Sequence, residues 1–153
     1  MSRERLVESV VYQSALLLDG REFQSYLDLC EPDFRYVVGA YSPEIRKEMV
    51  WLDHDKPALR TLFETLPRHN SDHSVLSRHL TVYRVEIAAD GASASATSAL
   101  QVFRTALDGG TTELYAVGKI HDSLRIAEDK ARLSKRHIQL DTRMLGIGTH
   151  IPF

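Results

Sequence analysis

The sequence predicts an α+β domain, with N-terminal helices packed in a strongly curved, long-stranded antiparallel sheet, the whole shaped as a cone. Three observations carry this. Apolar residues recur at the helical period through most of the chain as far as Leu66. After Leu76 the period becomes two, in four runs longer than the usual strand. Small residues gather in those runs, at Ala94, Ser95, Ala96 and Gly118, where bending or a close neighbouring layer suits them. Helices first and strands after read as α+β. A length of 153 residues suits one core, so residues 1–153 are expected to form a single domain.

Each element has its own signal. Leu6, Val7, Val10, Val11, Leu17 and Leu18 give a first helix from Arg3 to Leu18, broken by Asp19-Gly20. Phe23, Tyr26, Leu27 and Cys30 follow at i, i+3, i+4 and i+7, a short second helix that Glu31-Pro32 ends. The aromatic and β-branched run FRYVVGAY reads as a strand. Ser42 to Asp55 admits two readings. Ser42 and Pro43 can open a helix, or a turn can lead into a strand with Met49, Trp51 and Asp53 on one side; the second is preferred. In DKPALRTLFETL, Asp55 caps a helix whose stripe is Leu59, Leu62, Phe63 and Leu66, with Pro67 as its stop. RHNSDHS reads as a polar, exposed loop.

The four strands then form a meander. SRHLTVYRVEIA places Thr81, Tyr83, Val85 and Ile87 on one face. Ala-Asp-Gly turns into ASASATSALQVFRTAL, and Asp-Gly-Gly turns into TTELYAVGKIHDSLRIA. Glu-Asp-Lys turns into ARLSKRHIQLD, whose basic residues Arg132 to Arg136 read as a solvated strand face. No repeat or low-complexity linker interrupts the chain.

Composition narrows the function. Hydrophobic residues make up 43% and charged residues 26%, with a formal net charge of -2. No Lys/Arg stripe stands out, which argues against nucleic acid. No apolar run approaches the ~20 residues that cross a bilayer, and the N-terminus lacks a signal-peptide pattern; a cytoplasmic location is expected. Cys30 is the single cysteine. It excludes an intramolecular disulfide, a Cys-rich zinc site, a four-cysteine iron–sulfur cluster and a Rieske centre built from this chain alone. A buried structural thiol is expected there.

Three stretches resemble a known family. EMVWLDHDKPALRTLFETL is similar to its acidic, aromatic strand leading into a Leu-rich helix. SRHLTVYRVEI is similar to its Arg-His segment at the start of the sheet, and KARLSKRHIQLDTRMLG to its last strand. Together these resemble the small (β) subunit of Rieske-type aromatic-ring-hydroxylating oxygenases, within the NTF2-like cone fold. The likeness covers nearly the whole chain. One departure is that Ala131 stands where the family usually has a Trp. The ending RMLGIGTHIPF resembles members acting on small or unusual substrates. The resemblance implies a non-catalytic, mainly structural β subunit with no cofactor of its own. The partner α subunit would hold the Rieske 2Fe–2S cluster and the mononuclear Fe(II). It also implies an α3β3 hexamer with β–β association into a trimer, and an oxygenase acting on an aromatic or small organic substrate, chosen mostly by α.

Two other classes stay open: a cone-pocket enzyme and a small-molecule-binding or oligomeric module. In the enzyme reading, Tyr36, Asp53, His79, Tyr83 and Asp141 line a pocket where burial tunes their pKa values. A His79–Asp pair is then the general base, and a Tyr donates to an oxyanion. Metal binding is not expected. His69 and His73 share spacing but sit in loop-forming sequence, and Asp55 in DHD is a helix cap. For a subunit interface the candidates are Arg78, Asp141 and Arg143, because guanidinium pairs bidentately with carboxylate, with Trp51 and Tyr83 as aromatic anchors. Trp51 serves equally as plain core. Met144 to Phe153 is apolar, turns at Gly146 and Gly148, and is expected to fold over the domain or insert between subunits with Phe153 as a plug.

Overall fold

A computed structural model describes residues 1–69, 74–143 and 153, with the backbone alone for 67–69. Helix α1 runs Arg3–Asp19 and α2 Phe23–Asp28; β1 is Cys30–Ser42, β2 Lys47–Asp55 and α3 Lys56–His69. The remaining strands are β3 Val75–Ile87, β4 Ser93–Thr105, β5 Thr112–Ala127 and β6 Lys130–Leu140. They form one six-stranded sheet in the order β2-β1-β6-β5-β4-β3. The expected meander accounts for β3 to β6. The pair β1–β6 is parallel, so the sheet is mixed rather than wholly antiparallel. Residue periodicity says which face is buried, not which strand lies alongside, and this neighbour was not legible.

Local chemistry places the helices. Ser2 accepts the Arg5 N–H at 3.2 Å at the start of α1, and the Gly20 N–H closes its end on the Leu16 carbonyl at 2.9 Å. The buried stripe is Val7, Val10, Val11, Ser14, Ala15 and Leu18. The polar Ser14 thus lies inside, where the expected stripe had no member. Asp55 caps α3 through the Ala58 N–H at 2.9 Å. Pro67 does not stop this helix, which runs on to His69. The second helix ends at Asp28, before Pro32, which lies in β1 where its register with β6 shifts.

Every strand pair in the sheet carries such a shift. Bulges bend the strand that holds them, and here they curl the sheet around α1. They also reassign faces. In β3 the shift between Val82 and Arg84 makes Tyr83 the extra residue. Leu76, Leu80 and Val82 point inward before it, and Val85 and Ile87 after it. Thr81 and Tyr83 therefore face away from Val85 and Ile87, against the strict alternation expected. Gly118 fits a close approach: a methyl there would strike the Gln139 carbonyl on β6.

Candidate functional site

The concave interior holds the buried charges. The β5–β6 register slips between Ser123 and Leu124, so that Leu124 faces Leu133 while Ser123 faces Lys135. Ser134 is the surplus residue. Arg136, Ile138 and Leu140 are thereby turned inward, in line with Ala131 and Leu133. The solvated face expected for Arg132 to Arg136 holds for Arg132 and Lys135 but fails at Arg136. Its Nε and Nη2 donate to the two carboxylate oxygens of Asp122 at 2.8 and 2.9 Å, and Nη1 donates to Ser14 Oγ at 2.9 Å. Ser14 in turn donates to the Val11 carbonyl at 2.6 Å. The side chains of Arg136 and Asp122 are 1% and 0% exposed. Burial works against the guanidinium's charge, but Asp122 outweighs it and the Arg136 pKa is raised.

Two tyrosines and a thiol surround this pair. Burial raises the Tyr26 hydroxyl pKa, Arg136 opposing, and the hydroxyl has no hydrogen-bond partner among the described residues. The Tyr36 hydroxyl accepts the Phe153 N–H at 2.7 Å, and burial raises its pKa too. Cys30 is fully buried and donates to the Tyr26 carbonyl at 3.4 Å. Burial pushes its thiol up to about 12, against the pull of Arg136. Burial thus keeps these hydroxyl and thiol groups in their neutral forms.

A second buried ion pair fastens α1 to β3. Arg78 Nη1 lies 2.7 Å from Asp19 Oδ1, with side chains 2% and 26% exposed. Burial lowers the Arg78 pKa and Asp19 offsets it. Asp19 also accepts the Arg78 N–H, and Tyr12 accepts the Val82 N–H at 3.1 Å. Side chains of α1 thus satisfy N–H groups on the open edge of β3, which would otherwise be a template for pairing. A cleft of about 270 Å³ beside Arg78 is also lined by Arg21 and Ser74. None of the five candidate catalytic residues reaches it.

Those five are not brought together. Only Tyr36 faces the interior, and Phe153 holds its hydroxyl. Asp53 is exposed on β2, paired with Arg35 at 2.7 Å. His79 is exposed, against Ser77 Oγ at 3.0 Å and the Phe103 ring. Tyr83 is 64% exposed and Asp141 also lies outside. The pocket reading needed regular alternation along β3, which the bulge at Tyr83 interrupts. Two interface candidates have contacts within their own chain: Arg78 is paired with Asp19, and Phe153, 4% exposed, belongs to the buried cluster. Arg143 is paired with Glu44 at 2.6 Å, and Trp51 is half-buried against the core.

Sequence reasoning missed Asp122, Arg136 and Ser14, since no spacing signals a bulge. It also missed an outer-face contact. Glu48 on β2 reaches His137 on β6 at 3.0 Å, crossing β1 at Gly39, where a Cβ would meet its carboxylate at 2.8 Å. The His121 ring stands 6.2 Å from that of His137. Among the described residues no group of three His, Cys, Asp or Glu is placed to hold a metal ion, and no helix is long and apolar enough to cross a membrane. Of the two histidines four residues apart, His73 lies outside the described residues, as does the side chain of His69.

The sequence model of a family described as ring hydroxylating beta subunit matches residues 13–146. The chain is 39% identical over 153 residues to the methanesulfonate monooxygenase hydroxylase subunit beta of Methylosulfonomonas methylovora, covering 95% of this chain and 84% of that one. It is 32% identical over 146 residues to the 2-aminobenzenesulfonate 2,3-dioxygenase subunit beta of an Alcaligenes species, covering 95% and 96%. Among solved structures, the beta subunit of a proposed aromatic-ring-hydroxylating dioxygenase from Novosphingobium aromaticivorans superposes with a TM-score of 0.81 at 22% identity, over 98% of this chain and 96% of that one. At that identity the superposition speaks for the fold alone.

Proposed function

The chain belongs to the ring hydroxylating beta subunit family, and from that premise we propose that it is the non-catalytic, structural subunit of the hydroxylase component of a Rieske non-haem iron oxygenase. Its work is to support assembly of a large subunit that carries the 2Fe–2S cluster and the mononuclear Fe(II). The observation that carries this reading is the filled interior. Arg136, Asp122 and Ser14 satisfy one another there, and Tyr36 is held by Phe153.

Both relatives belong to oxygenases named for sulfonates. The reading extends to an oxygenase of an organic sulfonate, aromatic or small, with the choice of substrate resting in the large subunit. Residues 1–153 act as one domain in an α3β3 assembly built on a trimer of this chain, in the cytoplasm. Tyr83, Trp51, Asp141 and Arg143 are the surface residues proposed to contact neighbours. Asp141 and Tyr83 are exposed, which leaves them available.

Co-expression with a large subunit of a Rieske oxygenase tests this. The expected result is a stable complex whose iron travels with the large chain and whose turnover needs both. Turnover by this chain alone, or failure of any large subunit to bind it, overturns the reading.

A further inference from the structure

Three Asp-Gly dipeptides occur in the chain, Asp19-Gly20, Asp90-Gly91 and Asp108-Gly109. Such a pair is prone to rearrange through a cyclic imide, because glycine puts no side chain in the way of its own backbone nitrogen. The fold treats the three differently. At the end of α1 the Asp19 carboxylate lies 2.7 Å from Arg78 Nη1, and the Gly20 N–H donates to the Leu16 carbonyl at 2.9 Å. In the turn between β3 and β4, Asp90 Oδ1 accepts the Ala92 N–H at 2.9 Å, and the Gly91 N–H donates to the Ala88 carbonyl at 2.8 Å. The turn between β4 and β5 is closed by the Ala106 N–H on the Thr111 carbonyl at 2.9 Å. Inside it Asp108 and Gly109 are exposed, and neither the Asp108 carboxylate nor the Gly109 N–H is hydrogen-bonded among the described residues. A methyl group on Gly109 would meet nothing within 4 Å.

We propose that Asp108 is a site of spontaneous covalent modification, its isomerisation to isoaspartate, and that hydrogen bonding protects Asp19 and Asp90 from the same change. The Gly109 nitrogen attacks Cγ of the protonated Asp108 carboxyl. A C–N bond forms, the carboxyl OH and the amide hydrogen leave together as water, and a succinimide ring closes. Water then opens the ring at the Asp108 backbone carbonyl, so that the main chain continues through Cβ and Cγ. Composition and oxidation state are unchanged, while the turn gains one backbone methylene. Exposure does not set the order among the three, since Asp90 is exposed as well. The engaged carboxylates and N–H groups of the other two must first come free, and those of Asp108 and Gly109 already are.

Trypsin puts each dipeptide on its own peptide, residues 6–21, 85–104 and 105–119. The experiment ages the full-length chain in neutral buffer, digests it beside an unaged sample, and measures isoaspartate in each peptide by enzymatic methylation and electron-transfer fragmentation. Isoaspartate is expected to build up in 105–119 about tenfold faster than in either other peptide, because each protected site must open hydrogen bonds before it reacts. Ageing in guanidinium chloride should bring the three rates together, and Asp108→Glu should remove the signal from 105–119. Equal rates in the folded chain overturn the proposal. So does a folded chain whose 105–119 peptide stays unmodified while the denatured chain reacts there, and so does a rate order that guanidinium chloride leaves unchanged.

Discussion

Arg136 on β6 grips both carboxylate oxygens of Asp122 on β5, at 2.8 and 2.9 Å, with neither side chain open to solvent. Such a pair contributes little net stability compared with apolar residues of the same volume, but breaking it strands a buried charge. Asp122→Ala is expected to destabilise the fold by about 3–5 kcal/mol. The double variant Asp122→Leu with Arg136→Met should recover much of that loss. Urea unfolding of the natural chain, Asp122→Leu, Arg136→Met and the double variant closes a double-mutant cycle that measures it, and additive single effects would show that the pair is not coupled.

The pair between Arg78 and Asp19 combines a buried charge with the cover of a sheet edge. Asp19→Ala leaves the guanidinium without this carboxylate and the Arg78 N–H without its acceptor. Asp19 is a quarter exposed, so the expected loss lies near the lower end of the same range, about 3 kcal/mol. Hydrogen exchange should accelerate along β3 before it does along β5, because β3 is the edge that α1 covers.

How much of this was legible depended on whether a signal was local. The Asp55 cap follows from one residue and its neighbours in sequence, and it is found as expected. The place of Arg136 does not follow that way. Its basic neighbours Arg132 and Lys135 point outward, and only the extra residue at Ser134 turns Arg136 inward. The same holds for Thr81 and Tyr83, whose faces depend on a bulge that no turn residue marks. Chain reversals have sequence signatures, but a register slip is set by the partner strand.

Gly118→Ala tests the close packing of β5 on β6. The added methyl meets the Gln139 carbonyl and the Leu140 Cα, backbone atoms that cannot rotate aside. An overpacked position of this kind costs about 1–3 kcal/mol. Chemical denaturation of the variant should show a lower midpoint with an unchanged slope.

Glu44 gives the clearest pH dependence. Hydrogen bonds from Arg143, then from its own backbone N–H and the Ser42 hydroxyl, hold its carboxyl down at about 2 from an ordinary 4.5. A depressed carboxyl stabilises the fold above the unfolded value and loses that contribution as pH falls through the folded one. The contribution of Glu44 is thus complete above 4.5 and disappears between there and about 2. NMR titration of the Glu44 carboxyl carbon should report the low value, and Arg143→Gln should move it back toward 4.5. An unshifted midpoint in the natural chain would remove the ion pair from solution.

Cys30 should be chemically silent while the chain is folded. Burial pushes its thiol up to about 12, so the reactive thiolate is scarce at neutral pH, and the sulfur is out of reach of solvent. A thiol reagent such as DTNB is expected to modify it only at the rate of unfolding, and at the full rate in denaturant. Rapid labelling of the folded chain at pH 8 would contradict the burial.

Substitution of Tyr83 tests the proposed assembly surface. The bulge that makes it the surplus residue of β3 also pushes its ring outward, where it is 64% exposed and supports nothing in its own core. An exposed aromatic ring on a rigid strand is a common anchor in subunit contacts. Tyr83→Glu should therefore leave the stability of the isolated chain within about 0.5 kcal/mol, as surface substitutions usually do, while weakening retention of the large subunit on co-purification. Tyr83→Phe should keep it, because the anchor is the ring and not the hydroxyl. If Tyr83→Glu assembles as well as the natural chain, the contact lies elsewhere, and the exposed Asp141 becomes the next residue to substitute.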